Sequence, residues 1–396
     1  MDDNSLLNKN IEEEFNLFSK IFSYEIFDEE FLEYLKQIEK PSNNVCAKMF
    51  GSDEKAVICK ECGKDDGSLI CLDCFEKSKE FHKNHTILYE TDIEGGCCDC
   101  GNSEAWDKNT FCPLHKGNFV NEEEINNFIK DNFDEDIIIK IKDWFNNFTN
   151  KYIPYFLENE KNNSIKDNDE LDYIIDNFFE FLSNIFSSNS ALLQLFSQLI
   201  IKNYPFETNH NCVEINDKNE VNIINFNGQI HLCKCSFLKI IFSAWTNKIE
   251  DNELFFFFLQ NNKLKINVGL IYLSIYDKIL YNNLENLQNF ICQVFHSEIF
   301  LKVIKSSPFL ITNIFKYCYN YLENHIKNEN FEIKEKILFD DIYFLLSTDT
   351  IDIFSNNIEL FEIFLNIIEL FNNINNFDII KRECYSYNFF ILNILY

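Results

Sequence analysis

Apolar side chains recur three or four positions apart over most of this chain and lose that rhythm in one place. Leu6, Leu7, Phe15, Leu17 and Phe18, then Phe31, Leu32 and Leu35, sit mostly at the spacing of a helix face until Pro41 and Ser42 end the pattern. Between Val45 and Gly117 neither helical nor strand periodicity persists for long. Beyond Gly117 the rhythm returns. Glu122 to Phe128, Ile137 to Phe148 and Leu171 to Phe186 predict amphipathic or buried helices, and Phe-, Ile- and Leu-rich stretches from Leu254 onward predict stacked helices. The Asn-rich pieces Asn162 to Asp169 and Asn216 to Asn227 are expected to be loops, because dense apolar helices bracket them. The pattern divides the chain into four regions: an N-terminal helical segment at 1–42, a non-periodic module at 43–118, a helical region with Asn-rich loops at 119–250 and a helical scaffold at 251–396. The last residues, Phe389 to Tyr396, are apolar without a polar tail, which leaves open a longer parent chain.

Composition singles out the non-periodic stretch. Seven of the nine glycines, nine of the fifteen cysteines and three of the seven histidines lie between Val45 and Gly117. Cysteines alone would suggest secreted disulfides, but cysteines mixed with histidines in so short a window favour zinc in a reducing compartment. A small fold held by metal needs no long apolar rhythm. The formal charge is -29, from 64 acidic and 35 basic residues. Such a field repels nucleic acid and anionic membranes and favours cationic partners. Asp2 and Asp3 stand where a signal peptide carries basic residues, and apolar runs such as Leu254 to Leu259 are far shorter than a membrane span. The expected location is cytoplasmic, with the nucleus open.

The candidate ligands run Cys46, Cys59-Lys60-Glu61-Cys62, Cys71-Leu72-Asp73-Cys74, His82-Lys83-Asn84-His85, Cys98-Asp99-Cys100 and Cys112-Pro113-Leu114-His115. Two intervening residues let a pair of side chains reach one tetrahedral ion across a tight turn. Eight cysteines and three histidines supply eleven ligands, whereas three four-coordinate zinc ions need twelve, so one bridging thiolate closes the count. Cys97 is an extra thiol that could replace Cys98, and the bridge could fall at more than one cysteine. A saturated count argues against an open catalytic zinc, and coordination would consume a nucleophilic thiol. A purely structural staple is the plain alternative.

The full order of these residues, together with Gly101 after Cys100 and the run Glu104-Ala105-Trp106, resembles the UBR-box zinc finger of the N-recognins, ubiquitin ligases that recognise destabilising N-terminal residues. Neither a RING nor a C2H2 finger carries that order. The resemblance implies a small three-zinc UBR-type finger with little regular structure, followed by a mainly α-helical scaffold. It implies that Cys59, Cys62, His82 and His85 hold one ion, Cys46, Cys71, Cys74 and Cys98 a second, and Cys74, Cys100, Cys112 and His115 a third, with Cys74 as the bridge. It also implies that Asp65 and the carbonyl of Cys97 receive a peptide's α-ammonium while Asp99 and Asn102 face its first side chain. An α-amine is mostly charged at neutral pH, and a carboxylate can hold it by charge-assisted bonds. Asn102 stands where an acid is common in the family and Gly67 where a threonine is common, so selectivity for a basic residue is expected to be weaker here.

The implied function is capture of proteins with a free basic N-terminal residue, Arg, Lys or His, as part of an E3 ubiquitin-protein ligase. Ubiquitin transfer itself is expected from elsewhere, since no RING-like series of cysteines and histidines comes later in the chain; an E2 or the remainder of a ligase assembly is the implied partner. The alternative is a non-enzymatic, zinc-dependent helical adaptor that binds another class of basic protein segment. Trp106 is read as packing for the metal core and Gly101 as the residue permitting a tight turn. Lys263 to Leu280 and Cys292 to Ser297 weakly resemble the helical scaffold that succeeds the box in large N-recognins. Only His231, Cys233 and Cys235 cluster as further candidate ligands, which His210 and Cys212 nearby could complete, so another metal site is not the expected reading there, and Cys292, Cys318 and Cys384 read as core thiols.

Overall fold

Helix α1 (Asp3–Lys20) opens the computed structural model of this protein. The structure describes residues 3–40, 44–46, 48, 50, 54–64, 67–91, 97–117, 119, 121–161, 169–201, 204–207, 211–215, 221–225, 230–233, 260–274, 357–372 and Thr312, Phe315, Lys316, Tyr319, Asn320 and Glu323. These fall into two compact units, one holding the residues through 205 with 260–265, the other the residues from 206 to 233 and from 266 onward.

In the first unit α1 and α2 (Glu29–Ile38) precede the cysteine-rich module. Asp28 caps α2 by accepting from Phe31 N at 3.0 Å, and Glu29 and Glu30 place negative charge at its positive end. The module holds strands β1 (Ala56–Cys59) and β2 (Ile70–Cys71), helix α3 (Leu72–Ser78), one 3₁₀ turn at Lys79–His82 and strand β3 (Ile87–Glu90). β1 is central and pairs antiparallel with both others, Ala56 opposite Cys71 on one side and Glu90 on the other. Its small core joins Phe50, Ala56, Val57, Ile70, Phe75 and Trp106 to the buried cysteines.

Helices α4 (Glu122–Asn132), α5 (Glu135–Lys161), α6 (Asp169–Ser188) and α7 (Ser190–Ile200) complete this unit, where the apolar periodicity predicts helices. Their buried faces keep to the helical repeat, as with Ile138, Ile141, Phe145, Phe148 and Tyr152 on α5. The core they form with α1 is dense in aromatic rings. Phe181 of α6 stacks on Phe15 at 4.5 Å between centroids and meets the edge of Phe18 at 5.2 Å, while Trp144 lies 5.0 Å from Phe18. Leu17, on the opposite side of α1, is half exposed.

This helical body holds the finger by its entry segment. Glu39 accepts from Ser190 N at 2.9 Å, Asn44 Nδ2 donates to Ser190 Oγ at 3.2 Å, and Lys40 N donates to Asn132 Oδ1 at 2.8 Å. Asn189, the buried cap of α7, accepts from Ala191 N and Leu192 N and donates to the carbonyl of Leu35.

Four further strands, β4 (Tyr204–Glu207), β5 (Asn211–Ile215), β6 (Val221–Asn225) and β7 (Ile230–Cys233), interrupt a region whose pattern predicts helices and loops only. β5 and β6 pair antiparallel from Asn211↔Asn225 to Ile215↔Val221. The Asn216 to Asn227 loop expectation is corrected over 221–225, which form β6, because Val221, Ile223 and Ile224 supply the β-branched side chains that suit an extended backbone despite flanking asparagines; the rest of that piece lies outside the described residues. Helices α8 (Asn262–Ser274) and α9 (Ile358–Asn372) come next. In the second unit Leu360, Phe364 and Ile367 form the buried stripe of α9, with Phe315 6.2 Å from Phe364. The 162–168 part of the first Asn-rich piece lies outside the described residues, as do His210, Cys235, Cys292 and the later cysteines. Residues 45–117 thus make a cysteine-rich module with few strands, and helices dominate the described residues beyond it.

Candidate functional site

Tight turns bring the ligand pairs together. Cys62 N and Gly63 N both donate to the carbonyl of Cys59, His85 N to that of His82 and His115 N to that of Cys112, closing each two-residue gap with a backbone bond. Cys71 and Cys74 use another device: Cys71 is the last residue of β2 and the cap of α3, and Cys74 lies one helical turn on. The glycine after Cys100 has φ +94, and a Cβ there would lie 2.7 Å from the carbonyl oxygen of Asn44 and 2.8 Å from Cα of Val45. Only glycine lets the turn approach the entry strand so closely, next to the bond from Cys46 N to the carbonyl of Cys100 at 2.8 Å.

Three clusters result. Cys59, Cys62, His82 and His85 form one, Cys46, Cys71, Cys74 and Cys98 a second, and Cys74, Cys100, Cys112 and His115 a third, with ligand atoms in each within 4.8 Å of one another. Cys74 belongs to two of them, so the bridging position is settled by geometry, and Cys98 rather than Cys97 joins a cluster. Around a tetrahedral zinc, ligand atoms lie roughly 3.5–3.8 Å apart. The separations here include 3.9 Å from Cys46 Sγ to Cys71 Sγ, 3.4 Å from Cys59 Sγ to His85 Nδ1, 3.5 Å from Cys62 Sγ to His82 Nδ1 and 3.3 Å from Cys74 Sγ to His115 Nδ1. All three histidines thus turn Nδ1 inward, and the sites fit zinc in donor type, number and spacing.

Surrounding groups support the ligands. Cys71 N donates to Cys98 Sγ at 3.1 Å and Cys112 N to Cys100 Sγ at 3.3 Å, favouring the thiolate forms. Glu61, between two ligands, accepts from Thr86 N at 2.8 Å and Thr86 Oγ1 at 2.9 Å, which fastens the residue after His85 and holds the Glu61 carboxyl below its usual range. Trp106 is fully buried, edge-on to His82 at 6.1 Å, and its segment is tied to the first knuckle by bonds from Lys64 N to Ala105 O and from Asp107 N to Cys62 O. Burial pushes Cys59 up to about 12 and raises Cys98, while it lowers His82 toward the neutral imidazole a metal requires. Burial also opposes charge at His115, but the Cys112 thiol and its neighbours outweigh it and raise that group. Without a dication the Cys59 and Cys98 thiols keep their protons; a bound zinc ion would supply the charge that holds them as thiolates.

The turn after the second cluster carries the other residues of interest. Cys97 is buried outside the three clusters, and burial raises its thiol. Asp99 is only 6% exposed; its backbone N donates to Leu69 O, and its Oδ2 accepts from Leu69 N, both at 2.9 Å. Asn102 N donates to Asp99 O, and Asn102 Oδ1 accepts from Glu104 N at 3.1 Å, so this amide is engaged in its own turn. Asp65 lies outside the described residues. One neighbour is absent from any motif: Lys265 of α8, which is buried and feels the charges of Glu104, Cys97 and Asp99. Its single signal in the sequence is a lysine set between Leu264 and Ile266, too common a pattern to be read as part of a site.

Residues 45–115 match the family described as the zinc finger in N-recognin (UBR box). The chain is similar to E3 ubiquitin-protein ligase UBR1 of Drosophila melanogaster, 41% identical over 85 residues that make 22% of this chain and 5% of that protein. Similarity to UBR1 of Mus musculus is 42% over 72 residues, 18% of this chain and 4% of that protein. Similarity to E3 ubiquitin-protein ligase PRT6 of Arabidopsis thaliana is 29% over 86 residues, 22% of this chain and 4% of that protein. The match therefore spans about a twentieth of these relatives' length or less.

Proposed function

We propose, from the premise that residues 45–115 are a zinc-binding UBR box, that this chain recognises destabilising N-terminal residues as part of an E3 ubiquitin-protein ligase. Its substrates are proteins with a free N-terminus that begins with Arg, Lys or His. The α-ammonium is received by Asp65 and the carbonyl of Cys97, and the first side chain by Asp99 and Asn102. The observation that carries this reading is the third cluster's shared thiol: Cys74 joins the second and third clusters, whose ligands Cys98 and Cys100 present Asp99 between them. A carboxylate flanked by two metal ligands cannot move away from an incoming cation, so little ordering entropy is lost on binding.

The zinc ions are structural here, because each cluster supplies four protein ligands and leaves no position for a reacting water. An E2 and the remaining parts of a ligase assembly are the partners through which ubiquitin would be transferred. The cytoplasm and nucleus are the compartments in which such substrates would be met. No helix among the described residues is long and apolar enough to cross a membrane.

Calorimetry on the zinc-loaded chain tests this reading with one Arg-initiated peptide, unblocked and Nα-acetylated. Acetylation removes the charge and adds bulk, so the blocked peptide should lose binding. The acidic balance of -29 keeps a second reading in view, an adaptor for internal basic segments. Equal affinity for the two peptides would favour that adaptor and end the N-terminus reading.

A further inference from the structure

We propose that the free edge of β3 is a second binding surface, which takes up an extended segment of a partner protein as a further strand of the finger's sheet, the segment carrying basic residues on either side of an apolar centre. This surface uses none of the residues proposed to receive an N-terminus, and the inference does not depend on that reading.

The sheet runs β2-β1-β3, so β2 and β3 are its edges. β2 has only two residues, and both are buried. β3 is longer, pairs with β1 in unbroken register from Ala56↔Glu90 to Cys59↔Ile87, and leaves Leu88, Tyr89 and Glu90 exposed. Lys60 N donates to the carbonyl of Thr86 at 3.2 Å, which continues that register by one pair. Hydrogen-bonded pairs alternate along an antiparallel ladder, so Leu88 and Glu90 turn their backbone groups to β1 while Ile87 and Tyr89 turn theirs to the open edge. Among the described residues, neither Ile87 nor Tyr89 makes a bond on that side.

Proteins ordinarily protect such an edge with a charge, a proline or a bulge. The centre of β3 has none of these. Ile87, Leu88 and Tyr89 are apolar, and Leu88 is 43% and Tyr89 57% exposed. Tyr89 is nevertheless held in place, since its ring stands edge-on to Phe75 at 6.1 Å. Successive side chains alternate between faces, so Thr86, Leu88 and Glu90 share one face and Ile87 and Tyr89 the other.

Charge at the two ends of the edge selects the occupant. Glu61 accepts from Thr86 N at 2.8 Å and Thr86 Oγ1 at 2.9 Å, which fixes one carboxylate beside Thr86. Glu90, at the other end of the same face, lies across from Ala56 and forms no ion pair among the described residues. Lys60, opposite Thr86, offsets part of the Glu61 charge, so the pull on a cation is stronger at Glu90. An antiparallel strand therefore gains from a basic residue at each end, an apolar residue opposite Leu88 and a β-branched residue opposite Tyr89. Its backbone completes the bonds of Ile87 and Tyr89. A second copy of β3 fits less well. Centred on Leu88, it would set each Glu90 against Thr86 and Glu61 of the other copy, and like charges opposed across strands are destabilising.

The test uses the full zinc-loaded chain and the peptide Lys-Val-Ile-Thr-Lys, Nα-acetylated and C-amidated so that it has no α-ammonium to offer elsewhere. In the antiparallel register its first Lys faces Glu90, its Val faces Tyr89, its Ile faces Leu88 and its last Lys faces Thr86 and Glu61. NMR should show amide exchange slowed at Ile87 and Tyr89 on binding, with Leu88 unchanged because its N–H is already paired to β1. N-methylation of the peptide's Val and Thr, whose N–H groups face the edge, should abolish binding, whereas N-methylation of the central Ile should not. Replacing both peptide lysines by glutamates should weaken affinity about tenfold. Glu90→Lys alters an exposed side chain, and that variant should prefer the peptide with Glu first and Lys last over the original by about threefold. Unslowed exchange at Ile87 and Tyr89, equal affinity for the two charge forms, or indifference to N-methylation at Val and Thr would each overturn the proposal. A dimer of the peptide-free chain by sedimentation, with the same two amides protected, would also overturn it and give the edge to a second copy. None of these results bears on capture of a free N-terminus.

Discussion

Asp99 and Leu69 are joined by a reciprocal pair of bonds, Asp99 N to Leu69 O and Leu69 N to Asp99 Oδ2, each 2.9 Å long. One carboxylate therefore braces the finger and brings negative charge to the turn proposed to receive the peptide. These roles separate by substitution. Asp99→Ala leaves Leu69 N without its acceptor and should cost about 1–3 kcal/mol, visible as a lower denaturation midpoint. Asp99→Asn keeps an acceptor oxygen, so it should retain stability and zinc while binding an Arg-initiated peptide about tenfold or more weakly. Undiminished peptide binding by the Asn variant would place the first side chain elsewhere.

Cys74 is the one ligand that belongs to two clusters among the described residues. Cys74→Ala should release more zinc than Cys59→Ala, since the first change opens two sites and the second only one. Metal analysis of the two purified variants checks this, and equal zinc contents would mean that the ions are not linked through Cys74.

Gly101 is held at φ +94 with backbone atoms of Asn44 and Val45 at 2.7 and 2.8 Å from where a Cβ would sit. Gly101→Ala should thus strain the turn and push the entry strand away, costing about 1–3 kcal/mol or more. Thermal unfolding should report the loss, and zinc should leave the Cys46 cluster first. A variant as stable as the parent would show that the entry strand yields freely.

Zinc retention should depend on pH in one direction. Burial has raised Cys59 to about 12, so the metal-free thiol stays protonated across the neutral range and zinc must expel that proton to bind. Affinity accordingly falls as pH falls, and lowering pH from about 7 to about 5 should release metal to a chromogenic chelator. Release that is flat across this interval would contradict protonation of the thiols as the competing event.

In the helical body, Asn189→Ala removes two capping bonds and the link to Leu35 from a buried position. A loss of about 2–3 kcal/mol is expected, read as a shift of the urea midpoint. Peptide binding to the finger at saturating zinc should change little, because Asn189 touches no metal ligand among its described bonds.

The zinc ligands were legible without coordinates, since their residue types and close spacing are local properties: a two-residue gap between metal donors has few chemical uses. The helices of the first unit were legible too, as Ile138, Ile141, Phe145 and Phe148 announce a buried stripe by their intervals alone. The strands around Val213 and Ile223 were obscured by their asparagines, because strand formation depends on a partner that local propensity does not reveal.

What the sequence determined by itself was the donor set, its total of eleven and the need for one bridge, all consequences of covalent chemistry and counting. Folding in three dimensions decided that Cys98 and not Cys97 joins a cluster, that Asp99 is committed to Leu69, and that Lys265 on a distant helix is buried. Those outcomes depend on packing between segments far apart along the chain. Burial and electric field are set by what surrounds a group in space, and spacing in the chain carries no record of it.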